Sequence, residues 1–235
     1  MKVKQTFKTS TFVLLAVALL LLAGSAVGSA RAALTYYSEN FVAGINTSKI
    51  GVSLVENGTA TDVLLTDLLG EDEELILGKK YDEAISVTNT GSIDSYVRVI
   101  VKKSWQDEKG KKDTTLSPKL IDLHFVTGNG WVIDESATTD ERTVLYYTGI
   151  LPVGASTPAL TDTLRIDPII GTKVVETVEE VDGGQRITYV YEYDGYYAHI
   201  DAEVDAVQTH NAQDAIKSAW GIDVNVGADG SLSLR

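Results

Sequence analysis

Tyr96-Val97-Arg98-Val99-Ile100-Val101-Lys102-Lys103 is the stretch that decides the fold. Val97, Val99 and Val101 fall on one face of an extended chain, and Tyr96, Arg98, Ile100 and Lys102 on the other. β-Branched residues at a period of two read as a strand with one face in a core. Trp105 stands at its end. Downstream, a charged loop from Gln106 to Asp113 leads to Leu120–Thr127, the turn Gly128-Asn129-Gly130 and Trp131-Val132-Ile133, a pattern that predicts a hairpin. Upstream, Tyr81–Thr88 reads as one strand closed by Asn89-Thr90-Gly91. Ahead of it, Ile50, Val52 and Leu54 alternate with Gly51 and Ser53 before the turn Glu56-Asn57-Gly58.

The same grammar continues outward. Val144–Tyr147, Leu160–Ile166 and Tyr196–Val207 read as further strands, and Lys173–Val181 with Gln185–Tyr193 make a hairpin around Asp182-Gly183-Gly184. Pro118, Pro152, Pro158 and Pro168 all lie between these runs, where a missing N–H does no harm. About ten strands are expected. A short helix breaks the series: Asn211 is placed as its N-cap with Asp214 three residues on, Ala212, Ala215, Ile216 and Ala219 form a stripe, and Gly221 stands at the C-terminal end. Leu64–Leu69 is expected to add a second helical turn. Many short strands without βαβ alternation predict an all-β, antiparallel sandwich, most simply a jelly roll; the spacing alone does not separate it from an immunoglobulin-like sandwich.

The N-terminus carries an address. Lys2, Lys4 and Lys8 precede the apolar run Phe12–Ala23, and the small residues of Gly24–Ala33 follow. A run of about a dozen apolar residues is short of the roughly 20 a membrane-spanning helix needs, so it reads as a cleaved export signal. Ala30-Arg31-Ala32 fits the A-x-A pattern and places cleavage between Ala32 and Ala33, with Ala23–Ala26 a weaker alternative. A pilin-like leader would abut a long apolar helix retained in the product, and here a polar segment follows. The expected organisation is a signal peptide over residues 1–32 and one domain over 33–235, with 173–193 as a hairpin insertion.

Composition narrows the function. Residues 1–32 contain three lysines, Arg31 and no acid, so their removal takes the net charge from -13 to -17. Such a surface argues against nucleic acid or anionic lipid as partner and leaves divalent cations and basic surfaces open. The absence of cysteine excludes disulfides, thiolate metal sites and Cys nucleophiles, so stability must come from the core. The 203 residues after Ala32 suffice, since a chain of that size buries roughly 70% of its unfolded surface.

Little in the sequence points to catalysis. A zinc peptidase needs clustered His ligands, as in H-E-x-x-H, and His124, His199 and His210 show no such spacing. His199 and Glu203 share a strand face but sit about 13 Å apart. Glu71-Asp72-Glu73-Glu74 could attract calcium yet lacks the D-x-[DN]-x-[DN]-G loop arrangement and reads as a solvated turn. No G-x-S-x-G elbow or phosphate-binding glycine loop occurs. No catalytic, cofactor or metal residue is therefore assigned. Tyr189, Tyr191 and Tyr193 alternate on one face as a candidate binding surface, with cross-strand or core packing as the plainer use.

Several of these pieces together resemble the TasA and camelysin-like family of exported Gram-positive proteins, which carry a SipW-type signal peptide. The resemblance rests on Ala30-Arg-Ala-Ala-Leu-Thr-Tyr-Tyr-Ser-Glu-Asn-Phe41 with Ile50-Gly-Val-Ser-Leu54, and on Ile85-Ser-Val-Thr-Asn-Thr-Gly-Ser92 leading into Tyr96–Val101 and Trp105. It continues in Trp131 with Tyr146-Tyr147-Thr148-Gly149-Ile150-Leu151-Pro152-Val153-Gly154, and in Ala202–Gln208 before Ala219-Trp220-Gly221. What the resemblance implies is a secreted, non-enzymatic jelly-roll subunit of a cell-surface or biofilm-matrix fibre. Its partners would be the signal peptidase, further copies of itself, and other matrix or cell-wall proteins. In such fibres the N-terminal strand of one subunit enters the sheet of the next, here Ala33–Val42 with Leu34, Tyr36 and Phe41 as inward side chains. The same segment reads equally as the first strand of its own sheet. A monomeric adhesion module is the alternative, and a camelysin-like metallopeptidase the third.

Overall fold

The computed structural model describes residues 49–70, 73–181 and 184–235. The export signal, the cleavage site Ala32/Ala33 and the donor residues Leu34, Tyr36 and Phe41 lie outside them. What is described is an all-β sandwich. One layer is a four-stranded sheet in the order β13 (Tyr196–Gln208), β5 (Ser95–Asp107), β9 (Arg142–Tyr147), β8 (Trp131–Ile133), with β6 (Lys112–Asp113) folded against β5. The other holds β2 (Thr59–Ala60), β1 (Val52–Glu56) and β4 (Ile85–Asn89), beside β3 (Lys80–Asp82), β10 (Thr161–Ile166) and β7 (Ile121–Phe125). Backbone bonds from Asn89 to Ala155, Thr157 to Val87 and Leu160 to Ile85, at 2.7–2.9 Å, stitch β4 to the chain entering β10. All pairings are antiparallel, and the chain passes between layers from β4 to β5, β5 to β7, β7 to β8, β9 to β10 and back to β13, the crossing pattern of a jelly-roll-like sandwich.

The opening stretch behaves as its alternation demands. Val97, Val99 and Val101 are almost wholly buried and pack with Ile85, Val87, Ile121, Trp131, Leu145 and Leu164 between the layers. The other face of β5 is graded: Tyr96 is buried, Arg98 and Ile100 half-buried and Lys102 exposed. The cause is a second, smaller core laid over that end of the sheet by α1 (Ala212–Trp220), β14 (Val224–Val226) and β15 (Leu232–Leu234). There Tyr96 donates its hydroxyl to the Gly230 carbonyl at 2.8 Å, and the Arg98 guanidinium sits 5.4 Å from the Trp220 ring while pairing with Asp205.

Four local expectations change. Tyr81–Thr88 is two strands in different pairings, broken at Glu83-Ala84, where Glu83 N–H turns to the Asp162 carbonyl and Asn57 Oδ1 accepts Ala84 N–H. The runs on either side of Gly128-Asn129-Gly130 do not form a hairpin: β7 pairs with β10 and β8 with β9, so the turn carries the chain between layers. Gly130 has φ +103°, and a Cβ there would stand 2.7 Å from Tyr147, so the crossing needs glycine twice over. Leu64–Leu69 is irregular turn rather than helix. Asn211 precedes α1 in a left-handed conformation and makes no side-chain cap, whereas Gly221 closes the helix with φ +75° and its N–H on the Lys217 carbonyl. The turn Asn57-Gly58, with φ +48° and +86°, joins β1 to β2 as the two-residue hairpin chemistry predicts. Among the described residues no helix is long and apolar enough to cross a membrane.

Candidate functional site

An edge strand is built from the same alternation that builds a core strand, and what differs is whether its second side finds a partner. β13 pairs with β5 along its whole length, thirteen residues from Tyr196↔Asp107 to Gln208↔Ser95. Its other side makes no backbone hydrogen bond to any described strand. Long free edges invite another strand, and natural sheets usually blunt them with bulges, prolines or inward charges. β13 has no proline, and its charged residues Asp201, Glu203 and Asp205 project from the outer face, where Glu203 pairs with Lys102 and Asp205 with Arg98.

Beside the start of this edge lies an apolar cleft of about 630 Å³. Leu65, Leu68, Leu69, Leu75 and Leu77 form one wall, with Leu75 and Leu77 well exposed; Trp105, Tyr193 and Tyr196 form the other, over Leu164 and Ile166. Leu65, Leu68 and Leu69 of this wall come from the segment expected to be helical, and Leu75 and Leu77 from the chain leading into β3. Freed from helical periodicity, the first three turn toward β10 and β13 rather than forming a stripe.

A second feature is the hairpin of β11 (Val174–Val181) and β12 (Gly184–Tyr191). Eight residues at about 3.3 Å each make an arm of roughly 26 Å. Every one of its strand residues is exposed. The register puts Val174, Val178, Ile187, Tyr189 and Tyr191 on one face with Glu176, Glu180 and Gln185, so that face mixes apolar and aromatic side chains with two carboxylates and bears no cation. Tyr189 and Tyr191 therefore belong to an open surface. Tyr193 does not: β12 ends at Tyr191, the chain turns back with Asp194 N–H on the Tyr191 carbonyl, and Tyr193 enters the core. Its ring meets Trp105 edge-on at 4.9 Å, and its hydroxyl accepts Ser117 N–H. The three-tyrosine face is thus two surface tyrosines and one anchor. Replacing 174–191 with a short Gly-Ser link is expected to shift the urea midpoint of the domain by the equivalent of less than about 1 kcal/mol, because no strand residue of the arm is buried.

The groups singled out for metal chemistry are dispersed. His124 Nδ1 meets Asp162 at 2.7 Å on the surface, Glu203 pairs with Lys102, and Glu73 pairs with Lys79, while Glu71 and Asp72 lie outside the described residues. Among the described residues no three His, Asp or Glu side chains converge on one point.

On the outer face of the β13-β5-β9 sheet, Lys102, Lys112 and Arg142 border a recess of about 540 Å³ together with Glu141 and Asp201, and Lys112 pairs with Glu141 and Lys102 with Glu203. Lys103 alternates to the inward side of β5. Burial pushes the Lys103 ammonium below its ordinary range, and it donates to the Ile121 carbonyl at 2.6 Å.

One feature near the cleft has no signature in the sequence. Glu83 is fully buried and Glu56 nearly so, at 8% exposure. The Glu83 carboxyl faces Glu56, and burial first and that neighbour second push it up to about 8. Glu56 Oε1 in turn accepts the backbone N–H of Leu65 at 2.6 Å, tying the acid pair to the leucine wall. A glutamate in a strand-like run reads as solvent-facing, and the break at Glu83-Ala84 that turns it inward was the missing signal.

No protein-family model, curated protein or solved structure matches the chain.

Proposed function

We propose that this chain is an exported, non-enzymatic structural subunit that assembles head to tail into a fibre of the cell surface or extracellular matrix. Residues 1–32 act as the export signal, and Ala33–Val42 of one subunit adds to the sheet of the next. The observation that supports this reading is the edge of β13, which has no partner strand among the described residues and lies beside an apolar cleft. Main-chain bonds along the edge supply affinity, and the cleft accepts alternate side chains such as Leu34 and Tyr36. Because donor and acceptor are different surfaces, the contact propagates without closing. The family resemblance adds the matrix setting and the assembly partners, including other matrix or cell-wall proteins.

The chain beginning at Ala33 is expected to form fibres visible by negative-stain microscopy, and the chain beginning at Ala43 to remain monomeric. Leu75→Glu with Leu77→Glu places charge in the acceptor and is expected to slow growth at least tenfold while the fold is retained. Fibres of normal length and rate from the chain lacking 33–42 would sink the reading.

The exposed face of the β11–β12 arm supports a second reading, a monomeric adhesion module that binds through Tyr189 and Tyr191. A monomer at all concentrations whose attachment to cells fails on Tyr191→Ala would favour it.

A further inference from the structure

Among the described residues, buried side-chain oxygens without a hydrogen-bond donor occur at Glu83, where both carboxyl oxygens lack one, and at Asn129. A buried, unpartnered carboxyl is expensive unless a proton or an ion satisfies it. The neighbouring elements bring no cation to Glu83. On β3, Lys80 and Asp82 are exposed and the Tyr81 hydroxyl accepts Ile76 N–H. On β10, Asp162 meets His124 at the surface, and Thr161 gives its hydroxyl to the Glu83 backbone carbonyl. In the leucine segment Asp62 and Asp67 are exposed. The facing titratable group is Glu56.

Two carboxyls in contact can share a proton or hold a cation. A divalent ion would need several further oxygen ligands. Instead, one donor, Leu65 N–H, lies on Glu56, and the Asn57 side chain, fixed through its Oδ1 by Ala84 N–H, stands beside Glu83 without bonding its carboxyl. That surrounding suits one negative charge and one proton.

We propose that Glu56 and Glu83 form a proton-sharing latch that holds the Leu64–Leu69 segment as the wall of the apolar cleft and releases it when the shared proton is lost. The mechanical link is the Glu56 to Leu65 bond. Leu65 has φ +67°, a left-handed conformation that L residues avoid, so the segment stays in place only while something holds it. With both carboxyls charged, repulsion in a buried site drives the shallower Glu56 toward water, and the Leu65 N–H loses its acceptor. The wall then relaxes away from Trp105 and Tyr196. This latch rests on the reading of the cleft as an acceptor for a donated strand, and it makes assembly sensitive to mildly alkaline pH.

The test follows the Leu65 amide proton by NMR in the isotopically labelled full chain between pH 6 and 9.5. The wild-type resonance is expected to move with a midpoint near pH 8 and to stay fixed in Glu83→Gln, whose amide keeps a donor toward Glu56. Glu56→Gln serves if Glu83→Gln does not fold, and it too is expected to abolish the midpoint. A Leu65 resonance that does not titrate in the wild type, or titrates alike in the variant, overturns the latch. Fibre growth is measured separately, with a fall of at least tenfold expected between pH 6.5 and 9 in the wild type and not in Glu83→Gln. If Leu65 titrates but fibres form at no pH, the assembly reading fails and the latch stands.

Discussion

Trp131→Ala is expected to bring the domain to the edge of unfolding. The Trp131 side chain is completely buried, packs against Tyr147 at 5.4 Å between ring centroids, and donates its indole N–H to the Pro158 carbonyl at 2.9 Å. Removing a buried tryptophan side chain costs roughly 3–5 kcal/mol, and stranding a carbonyl acceptor adds about 1–3 kcal/mol more. Domains of this kind are stable by only about 5–15 kcal/mol. With no cysteine to restrain the unfolded chain, nothing offsets the loss. Urea unfolding followed by far-ultraviolet circular dichroism checks it: the midpoint should collapse with the slope unchanged. Trp131→Phe, which keeps most of the packing and loses the N–H, should fall less than half as far. Trp220→Ala should cost less than Trp131→Ala, because Trp220 is at 9% exposure and belongs to the smaller core over the outer face of the sheet. Equal losses at the two tryptophans would mean that the two cores do not differ in this way.

The contrast between those tryptophans also marks how far sequence could be read. Around Trp131 the inward valines of β5 identified the main core directly, since alternation is a local property of one strand. Of the core around Trp220 only the helical stripe was legible, with buried Trp220 in place of exposed Ala219, because its closing strands, Val224–Val226 and Leu232–Leu234, are three residues each and too short to show a period. Turn residues gave their conformations but not their destinations. Asn57-Gly58 and Gly128-Asn129-Gly130 look alike as strings, yet the first makes a hairpin and the second crosses the sandwich, because β7 pairs with β10 in one layer and β8 with β9 in the other rather than with each other.

The candidate site was legible where local alternation and turn residues carried it. The β11–β12 hairpin followed from its turn and alternating residues, and Tyr189 and Tyr191 lie on its surface as the register requires. Tyr193 shares their parity but lies beyond the last ladder pair, where parity no longer fixes a face. The cleft was hidden because Leu64–Leu69 reads as a helical turn and Leu75–Leu77 is too short to show a period, and its acid pair because two glutamates 27 positions apart carry no pattern.

That pair sets the second large expectation: the domain should lose stability as the pH rises through neutrality. Glu83 is raised from its ordinary value to about 8 in the folded chain, by burial first and by Glu56 second. Between the unfolded value and about 8, the folded chain holds a proton that the unfolded chain has released. Its contribution is therefore complete below the unfolded value, shrinks as the pH climbs through that window, and is gone once the pH passes the folded value. A displacement of this size in a buried group corresponds to a few kcal/mol. On the acid side the carboxylates held down by hydrogen bonds, Asp162 by His124, Asp113 by Thr115 and Asp229 by Ser231, act in the opposite sense, but Asp162 and Asp229 are exposed and Asp113 only partly covered, so they contribute weakly. Stability measured by urea midpoint should thus peak near pH 5 and decline to about pH 8, above which Glu83 adds no further slope. General repulsion in a chain of net charge -13 bends the curve the same way, so the wild-type profile alone does not identify the cause. Glu83→Gln separates them. It leaves all but one of the charges in place, so it should match the wild type near pH 5, exceed it by a margin that widens to about pH 8 and then holds, and flatten the profile. Repulsion spread over the whole surface would leave the two curves nearly parallel.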